Sequence, residues 1–512
     1  MRKSSIVVLL TALAASFNST PRALAEEATG GTAIFDPNQK LEDHWDGDPQ
    51  FWSVKDGCIT GEATPDKQPK ANTFLIWKDG ELDDFELNLD YKIVGGNSGM
   101  QVRSFRLPNT TWGVGGYQAD FEAGATYSGI VYGEAFRGIL AERGQKTVVG
   151  DDSKPVVKEQ FAPGADLQKF IKNEDWNHYR VVFRGFTQQN YINGQLMAEV
   201  TDNDTKTRRR SGILALQLHA GFQTEKIQFK NILLKRFPLT DVKKVVFLAG
   251  NPSHGPREHE HRAGCMLLAK ALNENFSDKV LATVYTGGWP QDPTALDNAD
   301  AMIGYSDGGG GHPANAHLKE INAAVKHGMG VGFLHYGVET VAGDPGNAFL
   351  DWTGGYFEMN WSVNPHWEAN YDKLPKHVVT SGVKPFKTND EWYYHMRFRP
   401  EMKGVTPILT ALPPKDTLSR PDGTHSGNPA VRASIDKGEP QHMMWVSENA
   451  DGSRGFGYTG GHFHKNWQNN DNRKLVLNAI SWIAKADVPV EGVPVKDLSD
   501  ADLEANLDPK GK

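Results

Sequence analysis

The apolar residues of this chain change their period at Pro238, and that change limits the possible folds more than any other feature. Before it, short runs alternate. In 85–93, Phe85, Leu87, Leu89, Tyr91 and Ile93 share one side, and Glu86, Asn88, Asp90 and Lys92 the other. That is the pattern of a strand buried on one face. Similar runs at 74–77, 99–105, 117–121, 179–183, 213–219 and 227–234 are separated by Gly, Asn and Asp clusters. After Pro238, 243–249 (KKVVFLA) is a continuous apolar run, as in a parallel strand covered on both faces. Strand-like stretches at 280–285, 301–305, 330–335 and 454–458 then alternate with helix-like ones at 263–272, 316–327 and 473–484. We therefore expect a multidomain chain: a β-sandwich over 33–237, a doubly wound α/β domain over 243–485, and a loose polar tail over 486–512.

The chain has 512 residues, enough for two or three domains. Its formal net charge of −8 and the lack of a basic stripe argue against nucleic acid as a partner. The one basic run, 206–210 (KTRRR), reads as a solvated loop. At the start, Arg2 and Lys3, the apolar stretch 6–17 and Ala23-Leu24-Ala25 read as a signal peptide over 1–25. The mature chain is then expected to begin near Glu26, in the periplasm or outside the cell. No stretch is long enough to span a bilayer, which takes about 20 apolar residues. Cys58 and Cys265 fall in different domains and are expected as two unpaired buried thiols.

Four segments of the first domain carry chemistry. Residues 51–61 (FWSVKDGCITG) read as strand, turn and strand, with Asp56-Gly57 at the turn. Residues 97–104 (NSGMQVRS), 116–122 (GYQADFE) and 217–219 (QLH) read as strands with unlike faces. Met100 and Val102 oppose Gln101 and Arg103; Tyr117, Ala119 and Phe121 oppose Gln118, Asp120 and Glu122; Leu216 and Leu218 oppose Gln217 and His219. A plain solvated face is the simpler reading of any one position. As a set, amides, an Arg and a His supply donors and acceptors suited to sugar hydroxyls.

With 35–45 (FDPNQKLEDHW), these segments resemble the 3-keto-disaccharide hydrolase domain family. The resemblance implies a concanavalin A-like β-sandwich that cleaves glycosidic bonds of sugars oxidised at C3. The expected catalytic set is Arg103, Gln118, Asp120, Glu122, Glu134 and His219, with Ser98, Gln101, Tyr132 and Gln217 binding substrate. Such cleavage needs a base for the C2 proton and a group to hold the enolate oxygen. Asp120 is favoured as base, though Glu122, Glu134 and His219 remain open; Arg103 or a cation would hold the oxygen. A direct glycosidase is the alternative, since Asp120 and Glu122 would stand about 7 Å apart on one strand face.

The second domain concentrates histidine at strand ends: His254, His259 and His261 after the first strand, His335 ending the fourth, and His462 and His464 after a later one. In a doubly wound sheet such loops meet in one crevice. His254, His259, His335, His462 and His464 are the candidate ligands of a divalent metal, Zn²⁺ or similar, with Glu258 or Glu260 as added ligand or base. A metal-free polar crevice binding sugar hydroxyls is the alternative.

The segments 245–261 (VVFLAGNPSHGPREHEH), 330–337 (GVGFLHYG), 390–396 (DEWYYHM), 454–467 (RGFGYTGGHFHKNW) and 475–485 (LVLNAISWIAK) resemble the ThuA-like, trehalose-utilisation family. That implies an α/β fold like class I glutamine amidotransferases. Those enzymes place a Cys at the strand–helix elbow, whereas here it reads Phe333-Leu334-His335-Tyr336-Gly337, which excludes thiolate chemistry at that position.

The leading expectation is an enzyme acting on 3-keto glycosides, fed by a sugar 3-dehydrogenase, because no G-x-G-x-x-G follows the strand at 243. One alternative is a lectin-like module joined to a non-catalytic α/β domain. Another places the chemistry wholly in the second domain, as in a keto-sugar isomerase.

Overall fold

The computed structural model describes residues 30–510. The expected signal peptide, 1–25, lies outside them. From Thr32 to Arg236 the chain forms two largely antiparallel sheets, of ten and seven strands. Eight strands matter for the site: β1 (Thr73–Trp77), β2 (Phe85–Val94), β3 (Asn97–Arg106), β4 (Val114–Glu122), β5 (Val131–Glu134), β6 (Asn177–Arg184), β7 (Ile213–Leu218) and β8 (Glu225–Arg236). The seven-stranded sheet runs β5-β4-β3-β7-β1, and the facing sheet carries β6-β2-β8. Met100, Val102, Tyr117, Phe121, Leu214 and Leu216 interlock with Leu87, Leu89, Val181, Phe183 and Phe229 across the gap. Each such side chain contributes about 1.5–3 kcal/mol by burial. Asp56 (φ 50°) and Gly57 (φ 73°) form the expected tight turn.

Arg103 departs from the expected alternation. The pairing of β3 with β4 slips between Val102 and Phe105, and Arg103 takes a left-handed φ of 46°. The bulge turns its side chain away from Gln101 and into the sandwich. There Arg103 is fully buried, pairs with Asp84 at 2.7 Å, donates to the Gly185 carbonyl at 2.7 Å and lies 3.8 Å over the Phe183 ring. It is not on the face expected to hold substrate.

The second domain comprises β9 (Lys243–Ala249), α1 (His261–Asn275), β10 (Val280–Thr286), β11 (Ala301–Tyr305), α2 (Leu318–Lys326), β12 (Gly330–Leu334), α3 (Asp344–Thr353), β13 (Val405–Ala411), β14 (Gln441–Glu448), β15 (Arg454–Tyr458) and α4 (Asn470–Ile483). The sheet order is β10-β9-β11-β12-β15-β14-β13. The first five strands are parallel, and β14 and β13 close the edge antiparallel. Val245 and Phe247 pack with α1 and α4 on one face, Val246 and Leu248 with α2 and α3 on the other. Burial on both faces accounts for the uninterrupted apolar run. The order reverses between β9 and β11, the place where open α/β sheets form their binding crevice.

The two domains share a buried ionic network. Asp83 joins Lys244 and, at 3.3 Å, Arg236, which in turn reaches Asp292 at 2.7 Å and Thr294 at 2.8 Å. Burial would raise the Asp83 carboxyl, but the Lys244 and Arg236 charges hold it down at about 2.

The expected loose tail is packed instead. Val493 and Leu503 are buried and Val488, Val495 and Leu498 half-buried against the α1–α4 side, and Asp500–Glu504 forms a short helix, α5. Its few apolar residues are spaced to reach that surface, which a reading by composition misses. Cys58 and Cys265 are free and buried. Among the described residues no helix is long and apolar enough to cross a membrane.

Candidate functional site

The outer face of the seven-stranded sandwich sheet carries a hydrogen-bonded row across β3, β4 and β7. Gln101 donates to Gln118, whose amide donates to Asp120 at 3.0 Å and Gln217 at 3.1 Å; Asn97 donates to the other Asp120 oxygen at 2.9 Å. Asp120 is 5% exposed. Burial pushes its carboxyl well above the ordinary range, and the nearby Glu122 and Glu134 charges push the same way. Gln217 Nε2 is a buried donor with no partner.

The remaining expected residues divide. Tyr132 lies opposite Gln118 on β5. Glu134 accepts from Asn72 at 3.0 Å, and Asn72 accepts the Ala220 amide at 3.0 Å, which links β5 to the His219 strand end. His219 Nδ1 donates to the Ala220 carbonyl at 2.6 Å. Glu122 accepts the Thr126 and Tyr127 amides at 2.6 and 2.8 Å, so it holds a turn beside Asp120. Ser98 has the parity of Met100; it is fully buried and donates to the Gln217 carbonyl at 2.7 Å, a strand tie and not a substrate contact.

On this face the sequence reading misses three residues. Asn72 and Asn97 are short amides beside strand ends, without a signal of their own. Glu225 opens β8 at 1% exposure, and no side chain pairs with either of its oxygens. Burial raises its carboxyl to about 9, against weak opposition from the Asn97 and His219 amides. Gly96 (φ 79°) makes room for it: a Cβ there would stand 2.6 Å from the Glu225 carboxyl carbon.

The α/β crevice holds a tighter cluster. His259 follows β9, His335 directly follows β12, His462 follows β15, and Glu391 comes from the insertion between α3 and β13. His259 Nε2 lies 3.0 Å from both His335 Nε2 and His462 Nδ1; Glu391 Oε2 lies 3.1 Å from His462 Nδ1 and 3.5 Å from His335 Nε2. Ligands about 2.0–2.2 Å from a tetrahedral ion stand roughly 3.3–3.6 Å apart, so these atoms come within a few tenths of an ångström of the spacing that holds one divalent cation.

The outer nitrogens support this. His259 Nδ1 faces Asp307 at 3.0 Å, and His335 Nδ1 faces the Thr459 carbonyl at 2.9 Å. Both acceptors fix the proton on Nδ1, so two Nε2 lone pairs face each other, an arrangement a cation relieves. Burial keeps His259 and His335 below their usual pKa, hence neutral. Burial would raise Glu391, yet hydrogen bonds from His366 and His462 hold it well below the usual carboxylate range. His254, Arg257, His259 and His335 all have left-handed φ, from 45° to 66°. Each such residue costs about 1–3 kcal/mol.

Two expected ligands do not join the cluster. His254 stacks on the His259 ring at 3.5 Å, with Nδ1 3.8 Å from Asp307, and half-opens to solvent. His464 is buried with both nitrogens unpartnered, and its amide donates to the Arg257 carbonyl. Glu258 reaches His462 only at 3.7 Å, and Glu260 turns away to cap the Arg257 amide. Glu391 was missed although its segment, 390–396, stood out; the next-door Asp390 anchors the Gly461 amide at 2.7 Å and so places His462.

Fold and sites define a two-domain protein: a sandwich with an acid-bearing polar face, and an α/β domain with a buried histidine–carboxylate centre. Residues 30–235 match the family described as 3-keto-alpha-glucoside-1,2-lyase-like domain, and residues 244–483 match trehalose utilisation, ThuA. The chain carries a 3-keto-α-glucoside-1,2-lyase-like domain followed by a ThuA domain. Solved structures similar to the first include a carbohydrate-binding module from Bacillus subtilis (15% identity, 39% of this chain, 97% of that one, TM-score 0.26). Another is the Thermotoga maritima laminarinase catalytic domain (10%, 40%, 99%, 0.26). Similar to the second is a ThuA-like protein from Bacteroides uniformis (15%, 48%, 91%, 0.34). No curated protein matches the chain.

Proposed function

We propose that the sandwich face cleaves 3-keto glycosides, with Asp120 as the base. The carrying observation is Asp120 itself: a buried carboxylate with no cation beside it, oriented by Asn97 and Gln118. A carboxyl raised well above its ordinary range is a stronger base than a solvated carboxylate. The C3 ketone acidifies the C2 proton. Asp120 takes that proton, the electron pair forms the enolate, and the glycosidic C1–O bond breaks as its oxygen leaves and is protonated. Glu134 and His219 are the candidates to supply that proton. Water adding afterwards makes the outcome net hydrolysis. The unpartnered Gln217 Nε2 takes the role expected of Arg103, as donor to the enolate oxygen. A sugar 3-dehydrogenase would supply the substrate.

A second reading rests on the converging His259, His335, His462 and Glu391, which places the chemistry in the ThuA domain. A divalent cation there would act as Lewis acid and activate water. One experiment separates the two: turnover of a 3-keto-glucoside, with and without chelator. Asp120→Asn is expected to lower the rate by about two or more orders of magnitude with little change in Tm. A full rate in that variant, together with loss in His335→Ala or with chelator, moves the reaction to the second domain.

We also infer export, from the Arg2-Lys3, apolar and Ala-Leu-Ala series. Mass spectrometry of extracytoplasmic protein is expected to find a start near Glu26, and a retained Met1 would refute it.

A further inference from the structure

The loop that carries His259 has an awkward backbone. His254, Arg257 and His259 are all left-handed, at 56°, 66° and 45°. In this loop the main-chain carbonyls of Gly255, Glu258 and His259 face one spot, where their dipoles repel. That spot is filled by Lys510, whose side chain is 6% exposed. Its ammonium donates to the carbonyls of Gly255 at 3.4 Å, His259 at 3.2 Å and Glu258, and pairs with Glu260 at 3.2 Å. Three donors thus meet three carbonyls, and the charge meets a carboxylate that is itself 1% exposed.

The same segment grips the loop at two more points. The Asp508 amide donates to the other Glu260 oxygen at 3.1 Å, and Arg257 forms a fork on Glu504 at 3.0 and 2.7 Å. Glu260 in turn accepts the Arg257 amide at 2.8 Å. On its far side the loop pairs with the strand end that carries His462: the His259 amide donates to the His462 carbonyl at 3.1 Å, and the His464 amide to Arg257 at 3.0 Å. Two of the three histidines of the cluster therefore sit in a structure pressed from outside by residues 500–510.

We propose that the segment 500–510 is a clasp that positions the metal ligand His259, with Lys510 as the positioning residue. The proposal rests on the reading of His259, His335, Glu391 and His462 as a metal centre. Without the ammonium, the converging carbonyls turn apart, and His259 Nε2 leaves the spot it shares with His335 and His462. Groups that orient a ligand from outside typically change metal affinity about 10–100-fold. Lys510 touches neither metal nor substrate, so its effect falls on affinity and on the symmetry of the site.

The test uses the full-length protein, with Zn²⁺ affinity read by chelator competition and Co²⁺ absorption as the signature of ligand geometry. Lys510→Met is expected to weaken Zn²⁺ at least about tenfold and alter the Co²⁺ bands. Lys510→Cys gives the same defect, and alkylation with 2-bromoethylamine, which puts back an ammonium at nearly the lysine reach, is expected to restore both readings within one preparation. Cys58 and Cys265 are buried and escape the reagent in folded protein. Wild-type affinity in both unalkylated variants overturns the clasp alone. A wild-type protein that binds neither ion overturns the metal centre, and the clasp with it.

Discussion

Glu225 takes up a proton far more readily folded than unfolded, because the fold buries it without a charged partner: about 9, against 4.5. Between those values the folded chain holds one proton more, so stability falls as pH rises through the window. Below about 4.5 that loss is absent. The slope is at most about 1.4 kcal/mol per pH unit. Glu225→Gln is expected to flatten the profile, with a gain over wild type that grows from pH 5 to 9 in urea unfolding; parallel profiles would mean the carboxyl is already ionised. Glu225 was not legible because its strand reads by period two as a core strand that begins at Ile227. Gln101, Gln118, Asp120 and Gln217 were legible, since alternation alone assigns them one face. Glu391 was not, because its contact with three loops arises from an insertion whose path no local pattern gives.

At the level of elements, the strands and helices followed from periodicity, and the errors came where a strand breaks its own rule. Arg103 sits after an even run of alternation, yet the bulge between Val102 and Phe105 reverses its side. A bulge in β3 has no mark in composition here, since no glycine stands at the left-handed position. The structural role makes a prediction opposite to a catalytic one. Arg103→Met leaves Asp84 in the core with the Gly185 amide at 2.8 Å and Arg210 only at 3.9 Å, and is expected to lower stability by about 3–5 kcal/mol in urea unfolding. The folded fraction keeps its specific activity to within a few-fold. A stable variant with abolished turnover would return Arg103 to the reaction.

Across the whole molecule, Asp83 is one of two carboxylates through which the sandwich and the α/β domain share charge: it serves Arg236 of β8 and Lys244 of β9, while Arg236 also pairs with Asp292. Asp83→Ala leaves Lys244 with the Asn298 side-chain oxygen Oδ1 alone, at 2.9 Å. Loss of about 3–5 kcal/mol is expected, and calorimetry is expected to resolve two transitions where wild type gives one. A single transition at the wild-type temperature would show that the domains are joined mainly by other contacts. Because Cys58 and Cys265 are free, buried and assigned one to each domain, the chain needs no oxidant to reach its fold and meets reducing and oxidising surroundings alike. Each thiol is then a built-in witness: alkylation at Cys58 records the opening of the sandwich, and at Cys265 that of the α/β domain, without any label having to be introduced.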